Sequence, residues 1–107
     1  MIRGTTPDYI LRIGGVDLSD KTVYVTIAQG TKKLTLTGDE LGVSVEDNTS
    51  VIAIRLTQAQ TLGLREGTAQ VQVRFIDSEG TARATNIAPL AVSAVLLERV
   101  IEYAGND

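Results

Sequence analysis

The sequence predicts an all-β fold: one sandwich domain of seven to eight short, mainly antiparallel strands spanning residues 1–107. Three observations carry that expectation. Apolar and polar residues alternate with period two in several separate stretches, the mark of strands with one buried face. Turn chemistry recurs every eight to twelve residues or so. Thr and Val are abundant and there are only 2 Pro, a mix that favours β-structure. A chain of 107 residues is one domain rather than two. It buries about 65% of its extended-chain surface, so a core forms without staples.

The clearest hairpin is 68–87, around which the rest is organised. Val71, Val73 and Phe75 alternate with Gln72, Arg74 and Ile76, and Asp77-Ser78-Glu79-Gly80 supplies a turn in which Gly80 takes positive φ. A four-residue loop sets Phe75 opposite Ala82 and Val73 opposite Ala84.

Before it, residues 1–8 read as an extended lead-in. Residues 9–13 form a first strand with Tyr9, Leu11 and Ile13 on one face, and Gly14-Gly15 with 17–20 form a loop. Residues 21–28 form a second strand, Val23, Val25 and Ile27 facing inward. A Gln29-Gly30 turn then sets Val25 opposite Leu34 and Val23 opposite Leu36. Residues 37–40 are a break. Residues 41–46 and 51–56 pair across a loop at 47–50, with Val45 opposite Ile52, Val43 opposite Ile54 and Leu41 opposite Leu56. Thr57 caps a short helical turn over 58–64, stopped by Gly67. Residues 86–92 form the last strand, with Pro89 at a kink or an edge. The segment 93–104, SAVLLERVIEYA, reads either as a C-terminal helix capped by Ser93 or as an extension of the strand as far as Leu97. Residues 105–107 are a polar tail.

The absence of His and Cys rules out Ser/His/Asp and Cys/His catalysis, disulfides, and imidazole or thiolate metal sites. Carboxylates remain: Asp39-Glu40, Glu46-Asp47 and Asp77/Glu79, all at turns, where these residue types are ordinary punctuation. They offer oxygen ligands for Ca²⁺, yet without the spacing of an EF-hand. No Walker loop or GxGxxG is present, so no cofactor is implied. Asn48-Thr49-Ser50 matches a glycosylation sequon and also reads as a plain turn.

Net charge is −3 and the ten basic residues are scattered, which argues against nucleic acid as a partner. The opening MIRGTTPDY lacks an apolar core of the kind a secretory signal has, so no signal peptide is expected. The longest apolar run, 87–97, is broken by Pro89 and Ser93 and is too short to span a bilayer; no membrane partner is expected. The densest apolar group lies after the last sandwich strand: Val95, Leu96, Leu97, Val100, Ile101 and Tyr103. It either covers the open end of the same core or serves as an interface.

The stretches MIRGTTP (1–7), VYVTIAQG (23–30), LTQAQTLGL (56–64) and VQVRFIDSEGTARATNI (71–87) together resemble small prophage-encoded proteins of Gram-positive bacteria that lie among tail and baseplate genes. The layout also resembles the immunoglobulin-like N-terminal domain of phage upper-baseplate proteins, and the likeness runs from Met1 to about Ile101. Its motifs are structural punctuation. A tight hairpin at Gln29-Gly30 departs from a standard immunoglobulin sandwich, which sends that connection between sheets. A varied sheet order or a different register follows.

The resemblance implies an immunoglobulin-like sandwich without catalytic residues, residing in the virion after synthesis in the host cytoplasm. Its partners would be other tail or baseplate proteins and further copies of itself, met through sheet edges and the C-terminal apolar segment. Two other function classes compete. A carbohydrate- or cell-surface-binding sandwich needs exposed aromatic platforms, and the chain has no Trp, 1 Phe and 3 Tyr. An enzyme would have to run on one of the carboxylate pairs.

Overall fold

In the computed structural model, which describes residues 1–104, two antiparallel sheets pack face to face as a β-sandwich. One sheet has the order β1-β5-β4, from Asp8–Gly14 (β1), Thr49–Arg55 (β5) and Leu41–Glu46 (β4). The other has the order β3-β2-β6, from Lys32–Thr37 (β3), Thr22–Gln29 (β2) and Gly67–Ile76 (β6). Ala82–Ala84 (β7) and Ala88–Val92 (β8) share the far edge of β6. A 3-10 turn, Gly38–Glu40, and a five-residue helix, Gln58–Leu62 (α1), carry the chain between sheets.

These orders are those of an immunoglobulin-like sandwich. β1, β5 and β4 stand as B, E and D; β3, β2, β6 and the β7/β8 edge stand as C′, C, F and G. The tight hairpin that looked out of place is the C–C′ ribbon, which lies within one sheet; the crossings between sheets are β1 to β2, β3 to β4 and β5 to β6.

The inner faces follow the alternation. Val23, Val25 and Ile27 of β2, Ile52 and Ile54 of β5, and Ala69, Val73 and Phe75 of β6 are buried, joined by Leu18, Leu36, Leu56, Leu64 and Val92. Tyr9, Leu11 and Ile13 pack against this core from β1.

Three registers differ from expectation, each because of a turn. β2 and β3 pair Val25 with Leu36 and Ile27 with Leu34, not Val25 with Leu34. The turn residues are Gly30 and Thr31; Gly30 alone takes positive φ (+60), as a type II′ turn requires. β4 and β5 pair Leu41 with Ile54 and Val43 with Ile52, leaving Val45 opposite Ser50. Asp47 and Asn48 both adopt positive φ (46 and 61) and close a two-residue type I′ turn in place of the four-residue loop. Both slips are two residues, so every side chain keeps its face.

The third is a one-residue slip. Ile76 pairs with Ala82 and Phe75 with Arg83, so Ala82 and Ala84 do not face Phe75 and Val73. Gly80 (φ +86) sits at the left-handed position of a three-residue loop, and Asp77 donates its N–H to the Thr81 carbonyl at 3.1 Å. All three residues of β7 are exposed.

Between β7 and β8 the strand bulges. Arg74 pairs with Ala84 but Val71 with Ala88, so three residues of the edge oppose two of β6. Thr85 repairs the gap: its N–H donates to the Val73 carbonyl (2.9 Å) and its hydroxyl accepts from the Val73 N–H (3.1 Å). The last strand therefore begins at Ala88 rather than 86, and the break falls before Pro89. Pro89 is at an edge, as expected. Ala91 and Ser93 turn their peptide groups away from β6 to meet Met1, and Pro89, in the same phase, lacks an N–H only on that outer side.

Thr57 caps α1 as the sequence predicts: its hydroxyl accepts from Gln60 N–H, and the Gln60 side chain accepts from Thr57 N–H. The helix ends at Leu62, earlier than expected. Residues 94–104 form neither the C-terminal helix nor the strand extension. The expected polar tail, 105–107, lies outside the described residues.

Candidate interaction surface

The core closes with Val92, and the chain beyond it is held at a few points. Ser93 bridges Ile2 in parallel, with Ser93 N–H donating to the Met1 carbonyl (2.7 Å) and Arg3 N–H to the Ser93 carbonyl (3.1 Å). Arg3 is the first tether. Its guanidinium donates to the Leu62 carbonyl (2.9 Å) at the end of α1 and to the Leu64 carbonyl (2.6 Å) just beyond it, and it forms an ion pair with Glu98. Gln58 is the second. Its side-chain amide accepts from Ile101 N–H (2.7 Å) and donates to the Ile101 carbonyl (2.9 Å).

The apolar side chains along this segment stay largely in solvent. Leu96 is fully exposed, Tyr103 is 91% exposed, and Leu97, Val100 and Ile101 are about half exposed. Val95 differs. It is half-buried over the N-terminal segment, where a Cβ added to Gly4 would lie 3.8 Å from its Cγ2. Five of the six residues singled out by the sequence therefore face outward, and the sixth packs on its own domain. The segment does not seal the end of the core. The outer edge of β8 is taken by residues 1–3, so the segment does not pair there.

No local pattern marks Arg3 or Gln58, whose roles depend on partners 95 and 43 positions away. The Gln58 position at the first residue of α1 was legible, but not that its amide would point at another segment.

Two of the turn carboxylates, Asp77 and Glu40, serve local structure. Asp77 Oδ1 accepts from the N–H groups of Glu79 and Thr81, each at 2.9 Å. Glu40 accepts from Thr37 N–H at 3.2 Å and closes the 3-10 turn. Among the described residues no three acidic side chains converge as a metal site. Asp8 forms a two-pronged pair with Arg55 (2.7 and 2.8 Å) across β1 and β5, which lowers its pKa below the ordinary value. Asp17 is lowered too, chiefly by the Ser19 hydroxyl and then by the Ser19 N–H. Tyr9 is raised by burial against the core. Among the described residues no helix is long and apolar enough to cross a membrane. No protein-family model and no curated protein sequence matches this chain.

Proposed function

We propose that the chain is a non-enzymatic structural protein of a phage or prophage tail or baseplate, an assembly component or adaptor that works through protein–protein contacts. The observation that carries the reading is the solvent exposure of Leu96, Leu97, Val100, Ile101 and Tyr103 on a segment that follows a completed core. A run of this kind is unfavourable in water and becomes favourable when a partner covers it. The immunoglobulin-like layout and the stretches resembling prophage tail proteins supply the setting. In such a particle, copies repeat each contact by symmetry.

Light scattering across a dilution series, with pull-down against tail and baseplate proteins, tests the reading. An oligomer or a tail complex that is lost when the chain is cut after Ser93 supports it. Assembly that survives the cut overturns the role of the segment. Saturable binding of cell-wall polysaccharide by a strict monomer would favour a glycan-binding module instead.

A further inference from the structure

Among the described residues the two open sheets leave four strand edges, and three are protected. β3 carries Lys32 and Lys33, β1 carries Asp8 and Arg12, and the β7/β8 edge combines Arg83, a bulge, Pro89 and the covering residues 1–3. β4 is different. From Leu41 to Val45 it reads Leu-Gly-Val-Ser-Val, with no charge, proline or bulge. The Glu46–Thr49 pair closes a two-residue turn and is therefore hydrogen-bonded, so alternate residues back from it pair with β5. Val43 and Val45 then turn N–H and C=O to the open side. Leu41 agrees with this phase: its N–H donates to the Gly38 carbonyl rather than to β5. Beside this edge runs an open groove lined by Leu18, Val23, Leu41 and Val43, with Ser19 and Lys21 on its polar side, the Lys21 ammonium held by the Asp17 carbonyl and Asp20. Acidic pairs flank the uncharged stretch Leu41 to Val45: Asp39-Glu40 before it, and Glu46, the last residue of β4, with Asp47 after it.

From these features we infer that β4 takes an extended segment of another protein as an added strand, one with alternating apolar residues and Lys or Arg at both ends. The free peptide groups of Val43 and Val45 supply the ladder and the groove takes the inward side chains; the acidic flanks choose the partner. A second copy of β4 is the wrong occupant. Pairing two copies in full overlap about Val43 sets Glu40 against Glu46 and Asp39 against Asp47, like charges directly opposed at both ends. The inference rests on the reading that the chain acts through protein contacts, but it uses a surface distinct from residues 94–104.

The test is titration of the full chain with a synthetic peptide, Lys-Lys-Thr-Val-Thr-Val-Thr-Val-Lys-Lys, followed by amide shifts and hydrogen exchange. The expected result is saturable binding that weakens with salt and protects Val43 and Val45 N–H, with a Glu-flanked peptide at least about tenfold weaker. Asp39→Lys with Glu46→Lys, both at solvated positions, should reverse that preference. Val43→Pro, which removes an N–H that β5 does not use, should abolish binding. No binding of the Lys-flanked peptide, equal binding of both peptides, or protection elsewhere than β4 would overturn the inference. So would a β4-paired dimer of the chain alone. Truncation after Ser93 leaves this titration unchanged if the edge acts by itself, so loss of the C-terminal role and loss of the β4 role are read separately.

Discussion

The Gln29 side-chain amide meets both peptide groups of Arg65: Nε2 donates to the Arg65 carbonyl at 2.7 Å and Oε1 accepts from its N–H at 2.6 Å. Gln29 ends β2 with its side chain inward and buried, and Arg65 lies in the link from α1 to β6. One side chain thus supplies that link with the pairing a neighbouring strand would otherwise give.

Gln29→Leu is therefore expected to destabilise the domain although it adds apolar surface. Both Arg65 groups lose their partner, a penalty of about 1–3 kcal/mol for a buried orphan. Gln29→Glu keeps the acceptor but turns the donor into an oxygen facing a carbonyl, and should be at least as damaging. Urea unfolding midpoints of the two variants against wild type check this.

Thr61 is fully buried on α1, and its hydroxyl accepts from Gly4 N–H (2.9 Å) and donates to the Thr5 carbonyl (2.9 Å). Thr61→Val keeps the shape and removes both bonds, for an expected loss of about 1–3 kcal/mol. The N-terminal segment should loosen first. Faster hydrogen exchange at Arg3 and Ser93 than in β2 would register it.

Gln58→Ala should free the chain beyond Glu98, which Arg3 still holds, without unfolding the sandwich. Two hydrogen bonds at an exposed site are worth about 1 kcal/mol net, so the loosened state should rise about fivefold. Trypsin cleavage after Arg99 under native conditions should accelerate to a similar degree, while the unfolding midpoint stays close to wild type.

Acid should weaken the fold through Asp8 and Asp17. Both have folded pKa values lowered from the ordinary 3.8, so each favours the folded state while ionised. Their contribution is complete above the unfolded value and is lost as pH falls through the lower folded value. Asp8→Asn with Asp17→Asn should therefore flatten the fall in melting temperature on acidification below about pH 4. Both groups are solvent-exposed, so added salt should shrink the Asp8–Arg55 part of the effect.

The sequence by itself determined which residues turn inward and in what order the strands come. Val23, Val25 and Ile27, or Ile52 and Ile54, show their face in the alternation alone, because side chains on a strand repeat every two residues. The same periodicity cannot tell a register from one shifted by two, and there tertiary structure decided: Gly30-Thr31 and Asp47-Asn48 became the turns, while the faces stayed as read. Across Asp77–Thr81 even the face of β7 changed, because Gly80 closed an odd loop. The apolar content of 94–104 was legible too, but its lack of regular structure was not. Where the segment lies is set by distant partners: residues 1–3 occupy the β8 edge, and Arg3 and Gln58 hold the segment from afar. Such contacts join residues tens of positions apart, and a local pattern carries no record of them.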